Sequence, residues 1–239
     1  MHHGAFVISL DFELLWGVRD KRTIRDYGAN ILGVRDVVPA LLDLFAGRSI
    51  SCTWATVGLL FFATNREMLA ALPGRKPRYA DPRTSSYYYL GELGTDEEHD
   101  HYYYGLSLIR RILGYANQEM ATHTFSHFYC LEEGGDCEAF RADLAAARAA
   151  AVGLGAKLES IVFPRNQISA THLAVCRELG LRAFRGNERV WFHRARRDVE
   201  QTLLVRGARL CDSYVPIAGT STMPSTSVGS WSCAPPIGI

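Results

Sequence analysis

The run Ala5-Phe6-Val7-Ile8-Ser9-Leu10 restricts the fold of this chain more than any other segment. It is apolar apart from Ser9 and carries β-branched residues, so it reads as a strand covered on both faces, as in a parallel sheet. Ile31 to Gly47 follows as an amphipathic helix, with Val34, Val37, Val38, Leu41, Leu42 and Phe45 on one side and Gly47 as its stop. Ser49 to Val57 reads as a second strand ended by Gly58, and Thr64 to Leu72 as a short helix halted by Pro73-Gly74. This alternation predicts an α/β fold with parallel strands.

Residues 73–104 interrupt the alternation with Pro, Gly, charge and two tyrosine clusters, Tyr87-Tyr88-Tyr89 and Tyr102-Tyr103-Tyr104. A loop of this length inside a compact domain is usually functional or disordered, and its aromatic content argues against disorder. The tyrosines suit stacking on sugar faces and pinning of the loop to the body equally well. A helical pattern returns at Leu106–Leu113, and Asp136–Leu154 reads as an Ala-rich helix. Leu158–Phe163 is a strand entering Pro164-Arg165-Asn166, Ala170–Leu179 a helix, Leu181–Phe184 a short strand, and Arg197–Tyr214 the last helix. Residues 1–215 therefore form one domain, and 216–239, rich in Ser, Thr, Gly and Pro, reads as an irregular tail.

At 239 residues, 48% of them hydrophobic, the chain can bury a substantial core. A net charge of +1 gives no field that would favour nucleic acid or an anionic membrane. There is no apolar stretch long enough for a transmembrane helix and no basic segment followed by an apolar core at the N-terminus, so a cytoplasmic location is expected. The six cysteines are scattered without a CxxC pair and read as free thiols, several of them buried.

Chemistry is suggested at two places. One is Asp11-Phe12-Glu13, two carboxylates at the end of the first strand; the other is His123-Thr124-Phe125-Ser126-His127. In α/β scaffolds, ligand-binding residues gather at the C-terminal ends of parallel strands. If His123 opens a helical turn, residues four apart share a face, and both imidazoles reach one ion. Two imidazoles and one carboxylate are a common zinc set that leaves a position for water. The remaining carboxylate then takes the proton as water attacks a polarised carbonyl. An HxxxH spacing alone is weak; burial of two carboxylates at a strand end without a cation or donor would be costly, and that strengthens it.

Ser9-Leu10-Asp11-Phe12-Glu13 together with His123-Thr124-Phe125-Ser126-His127 resembles the first two motifs of the polysaccharide deacetylase, or NodB-homology, family. The second motif, His-(Ser/Thr)-x-x-His, is matched in full; in the first, usually Thr-Phe-Asp-Asp-Gly, the second carboxylate is displaced by one residue and is Glu. Cys52-Thr53-Trp54-Ala55-Thr56-Val57-Gly58 is similar to the family's glycine-ended second strand. The resemblance covers most of residues 5–190. It implies a distorted (β/α)7 barrel of the NodB-homology type, incomplete here at the C-terminus, and hydrolysis of an N-acetyl group on a carbohydrate. It also implies Asp11 as general base, Glu13, His123 and His127 as ligands of a divalent metal, zinc foremost, and Arg165 as the arginine that holds Asp11. Trp16, Arg185 and Glu188 are the substrate-binding candidates, with Trp191 beside them in a loose counterpart of the fourth motif.

The chain departs from the family in two respects. Pro164-Arg165 reverses the family's order of Arg before Pro, and no histidine follows His193, whereas the family protonates its leaving amine from a late Leu-x-His. His172, on the Ala170–Leu179 helix, reads as a solvated or packed residue, and His99 and His101 on the long loop are substitutes by sequence proximity alone. Three functions therefore stand beside one another. They are a deacetylase of a carbohydrate substrate, a hydrolase of a non-sugar small amide, and a metal-binding protein on the same scaffold without turnover. The first two are hydrolases of carbon–nitrogen bonds other than peptide bonds.

Overall fold

The computed structural model describes residues 7–187, 190–215 and 232–234. Six strands lie in the order of the sequence, β1 Ser9–Phe12, β2 Cys52–Thr56, β3 Gln118–Thr122, β4 Ser160–Ile161, β5 Ala183–Arg185 and β6 Ser232–Ala234. Every neighbouring pair is parallel. This makes a curled α/β half-barrel, and among the described residues β1 and β6 do not meet to close it. Parallel pairing requires a long crossover between successive strands. Helices α1 Ile24–Gly47, α2 Asn65–Ala70, α3 Leu106–Leu113, α4 Cys137–Val152 and α5 Ala170–Glu178 lie in those crossovers, and α6 Leu203–Tyr214 follows β5. None is long and apolar enough to cross a membrane.

The periodic elements sit close to their sequence positions, and the boundaries move for local reasons. Helix α1 starts seven residues earlier than the apolar stripe suggests, because Thr23 and Asp26 form a reciprocal capping box. Asp136 and Ser169 likewise cap α4 and α5 through their side chains. The last helix starts at Leu203, capped by Thr202, rather than at Arg197. Strand β1 begins at Ser9, so Asp11 lies within it and Glu13 just beyond it. The region expected to be an irregular tail contains β6; the rest of 216–239 lies outside the described residues, as does Glu188.

The long loop is tied to the body. Tyr103 and Tyr104 are buried, and the Tyr104 hydroxyl donates to Gly94 O at 2.9 Å. The Tyr129 N–H donates to the Tyr79 hydroxyl at 2.8 Å. Tyr88 is 56% exposed and meets the Tyr89 ring edge-on at 5.2 Å. Trp16 is not a substrate wall. It is fully buried, donates from Nε1 to Tyr103 O at 2.9 Å and meets the Tyr103 ring edge-on at 4.7 Å. Trp16→Ala should therefore destabilise the fold by about 3–5 kcal/mol, the usual range for an emptied core aromatic. Urea unfolding measures this; a loss under about 1 kcal/mol would place the indole outside the core. The cysteines expected to be free thiols are free among the described residues, with Cys52, Cys130 and Cys176 buried.

Candidate metal centre

The candidate site stands at the C-terminal ends of β1 and β3. Glu13 Oε2 lies 3.2 Å from His123 Nε2 and 3.0 Å from His127 Nε2. One donor atom from each of the three residues falls within 4.8 Å of the others, and both histidines are buried. Gly17 allows this approach: a Cβ there would stand 2.0 Å from the Glu13 carboxyl carbon.

The two histidines are not on a helix. After β3 ends at Thr122, residues 123–127 form a turn in which Thr124 (φ 62°) and His127 (φ 56°) are left-handed, a conformation costly for side chains of this kind. Several bonds impose it. The His123 N–H donates to Thr56 O at 2.8 Å, the Phe128 N–H to the Thr124 hydroxyl at 2.7 Å, and the Gly58 and Leu59 N–H groups to Thr124 O at 2.9 Å and Phe125 O at 3.0 Å. Gly58 is needed for that contact, since a Cβ would lie 2.8 Å from Phe125 Cα.

Imidazole orientation suits metal ligation. His123 Nδ1 donates to Val162 O at 2.9 Å, which turns Nε2 toward Glu13 and selects the tautomer that presents it. Ligand atoms around a tetrahedral zinc with bonds near 2.0–2.2 Å stand roughly 3.4 Å apart, close to the separations here. The two-nitrogen, one-oxygen donor set and its spacing therefore fit a divalent ion. Burial, assisted by the nearby His123 and opposed by Glu13, pushes His127 down to about 4, toward the neutral form a ligand needs. At His123 burial also works against the charge, but Asp11 and Glu13 outweigh it and raise the imidazole. Glu13 is held well below the usual carboxylate range, because the two histidines outweigh the burial that works against its charge.

Asp11 is held by Arg185, not by Arg165. Arg185 Nη1 reaches Asp11 Oδ1 at 2.9 Å and Nη2 reaches Oδ2 at 3.0 Å, a bidentate pair. Arg165 instead pairs with Asp20 at 2.5 Å and lies over the Tyr129 ring at 4.2 Å. Arg165 and Asn166 are both left-handed (φ 53° each), so the chain after Pro164 turns the guanidinium toward Asp20. Arg185, expected to touch substrate, is thus the partner of Asp11. Trp191 is 47% exposed. His172 packs edge-on against Phe140 at 4.9 Å, His193 meets Asp212 at 3.1 Å, and His99 pairs with Asp96 at 2.7 Å.

One group at the site was not singled out in the sequence. Asp143, in α4, is fully buried, and its carboxylate accepts from the Phe125 N–H at 2.7 Å, the Ser126 N–H at 3.2 Å, the Ser126 hydroxyl and the Tyr87 hydroxyl at 3.3 Å. The available signal was a single acid in the apolar stripe Ala139, Phe140, Leu144, Ala147, Ala151 of an otherwise regular helix. Burial pushes Asp143 up to about 6, the four donors opposing it only in part. In the unfolded chain an aspartate titrates near about 3.9. The folded state therefore binds more protons between those values. This group's contribution is complete below about pH 4 and is lost as pH rises through about 6. Asp143→Asn cannot ionise, so the fall in urea stability between pH 4 and 7 should be smaller in the variant than in the wild type. Parallel curves would contradict the assignment.

No protein-family profile matches the sequence, and no curated protein sequence matches it. Solved structures are similar to it. A candidate polysaccharide deacetylase from Mycobacterium smegmatis aligns over 74% of this chain and 49% of its own, at 14% identity and a TM-score of 0.48. IcaB from Ammonifex degensii aligns over 63% and 54%, at 15% identity and a TM-score of 0.41. A CE4 family pseudoenzyme from Bacillus anthracis aligns over 76% and 43%, at 11% identity and a TM-score of 0.40. The chain spans about half the length of these structures.

Proposed function

We propose that the protein is a metal-dependent hydrolase that removes an N-acetyl group from a carbohydrate or a related amide. The observation that carries this reading is the convergence of Glu13, His123 and His127 on one point beside a second, separately held carboxylate, Asp11. Glu13, His123 and His127 would hold the ion, with zinc the best match to the donor set. A bound zinc supplies an acidified water and polarises the amide carbonyl. Asp11 takes the proton from the attacking water, and the bidentate contact with Arg185 fixes the direction from which it does so. Expulsion of the amine needs a proton on nitrogen as the carbon–nitrogen bond breaks, and in this reading Asp11 returns the one it accepted.

The test is acetate release from N-acetylglucosamine oligomers by zinc-loaded protein, with His123→Ala as control. Release that disappears in the control supports the reading. A second reading, a metal-binding protein without turnover, draws on the engagement of both Asp11 oxygens by Arg185. Stoichiometric zinc without acetate release from sugar or simple acetamide substrates would favour it. Protein that takes up no zinc would rule out both.

A further inference from the structure

We infer that Asp143 is the positioning residue of the metal centre, holding the 123–127 turn in the one conformation that brings both imidazoles to Glu13. The inference rests on the metal-site reading above. The two left-handed residues of the turn, Thr124 and His127, enclose Phe125 and Ser126. With β3 finished at Thr122, the N–H groups of Phe125 and Ser126 have no strand partner, and both point at Asp143, at 2.7 Å and 3.2 Å. The hydroxyls of Ser126 and Tyr87 complete four donors around one carboxylate, which offers about four lone-pair sites.

A carboxylate in the apolar stripe of α4 is costly to bury unless donors meet it. Its donors come from the ligand-bearing turn and from Tyr87 on the long loop. Ser86 of that loop donates from its hydroxyl to Ser126 O, so the loop and the helix hold the two peptide units that flank Ser126, one through its carbonyl and the other through its N–H. Asparagine would turn an N–H2 group against N–H donors, and alanine would leave two buried amides unpaired. In either case the turn keeps its bonds to Thr56, Gly58 and Leu59 but loses the anchor between its two left-handed residues, so it departs more often from the conformation that sets His127 against Glu13.

The experiment uses the full chain as wild type, Asp143→Asn, Ser126→Ala and Leu144→Ala. Leu144 is buried in α4 beside Asp143 and serves as a purely structural control. Zinc affinity is measured against a competing chelator dye, and exchange of the Phe125 and Ser126 amides is followed by NMR on metal-free protein. Asp143→Asn should bind zinc about 10–100-fold more weakly, the range typical of groups that orient metal ligands. Ser126→Ala should lose less, and Leu144→Ala should keep its zinc affinity while losing urea stability. The two amides should exchange far faster in Asp143→Asn, with β2 and β3 amides still protected.

Wild-type zinc affinity in Asp143→Asn, or an equal loss in Leu144→Ala, overturns the inference. If Asp143→Asn does not fold, Ser126→Ala decides: undiminished zinc affinity there also overturns it. Should the wild type bind no zinc, the metal reading fails. Amide exchange then decides the inference alone, equal protection in wild type and Asp143→Asn counting against it and selective loss counting for it.

Discussion

His123→Ala should leave the protein without zinc after dialysis, where the wild type should keep about one ion per chain by elemental analysis. His123 offers one of three candidate ligand atoms, and the other two, on Glu13 and His127, are only 3.0 Å from each other. Removing a ligand should cost more than the 10–100-fold typical of groups that merely orient ligands, so affinity falls by at least about 100-fold. Stability changes as well. His123 is 1% exposed, and its loss empties that space and leaves Val162 O without its donor. An unpaired buried acceptor costs about 1–3 kcal/mol. The variant should therefore unfold at lower urea, which zinc does not restore, whereas zinc should stabilise the wild type by mass action. Stoichiometric zinc in His123→Ala would remove the site as assigned.

Asp11→Asn should retain zinc and lose turnover by about 10²–10⁴-fold, the usual contribution of a positioned acid–base group. The companion variants separate the two arginines. Arg185→Ala removes the bidentate partner of Asp11 and should lower the rate constant for turnover with little change in zinc content. Arg165→Ala should do the reverse. Its partner Asp20 has a side chain only 8% exposed, so breaking that pair leaves a nearly buried charge uncompensated and costs stability, by about 3–5 kcal/mol in fully buried cases. Turnover per folded molecule should be almost unchanged. Acetate release normalised to folded protein measures all three, and a turnover defect confined to Arg165→Ala would return the role of Asp11's partner to that residue.

Much of the fold was legible because short apolar runs and amphipathic stripes are local signals. Helix α3 falls on the stretch read from its periodicity, and α4 and α5 lie within the stretches read for them. The candidate ligands stood out by residue type and spacing, Asp11 and Glu13 at the end of the first apolar run and His123 and His127 four apart, whereas β3, which leads into the histidines, was not read from the sequence. The geometry of the pair was not. Four-residue spacing suits a helical face, but two left-handed residues bring the imidazoles together without a helix. Trp16 was misread because an indole beside two carboxylates looks the same in sequence whether it faces substrate or Tyr103.

What the sequence determined by itself is the alternation of strands and helices, and hence a parallel sheet whose first strand leads into Asp11 and Glu13. Both follow from residue periods and from the chemistry of neighbours within a few positions. The tertiary structure alone decided that Asp11 meets Arg185, 174 residues away, that Arg165 turns to Asp20, and that Asp143 reaches the turn from α4. Those choices depend on strand order, on the left-handed turn after Pro164 and on which face of α4 packs inward. A charged side chain's partner is set by the path of the distant chain that carries it, and no local pattern encodes that path.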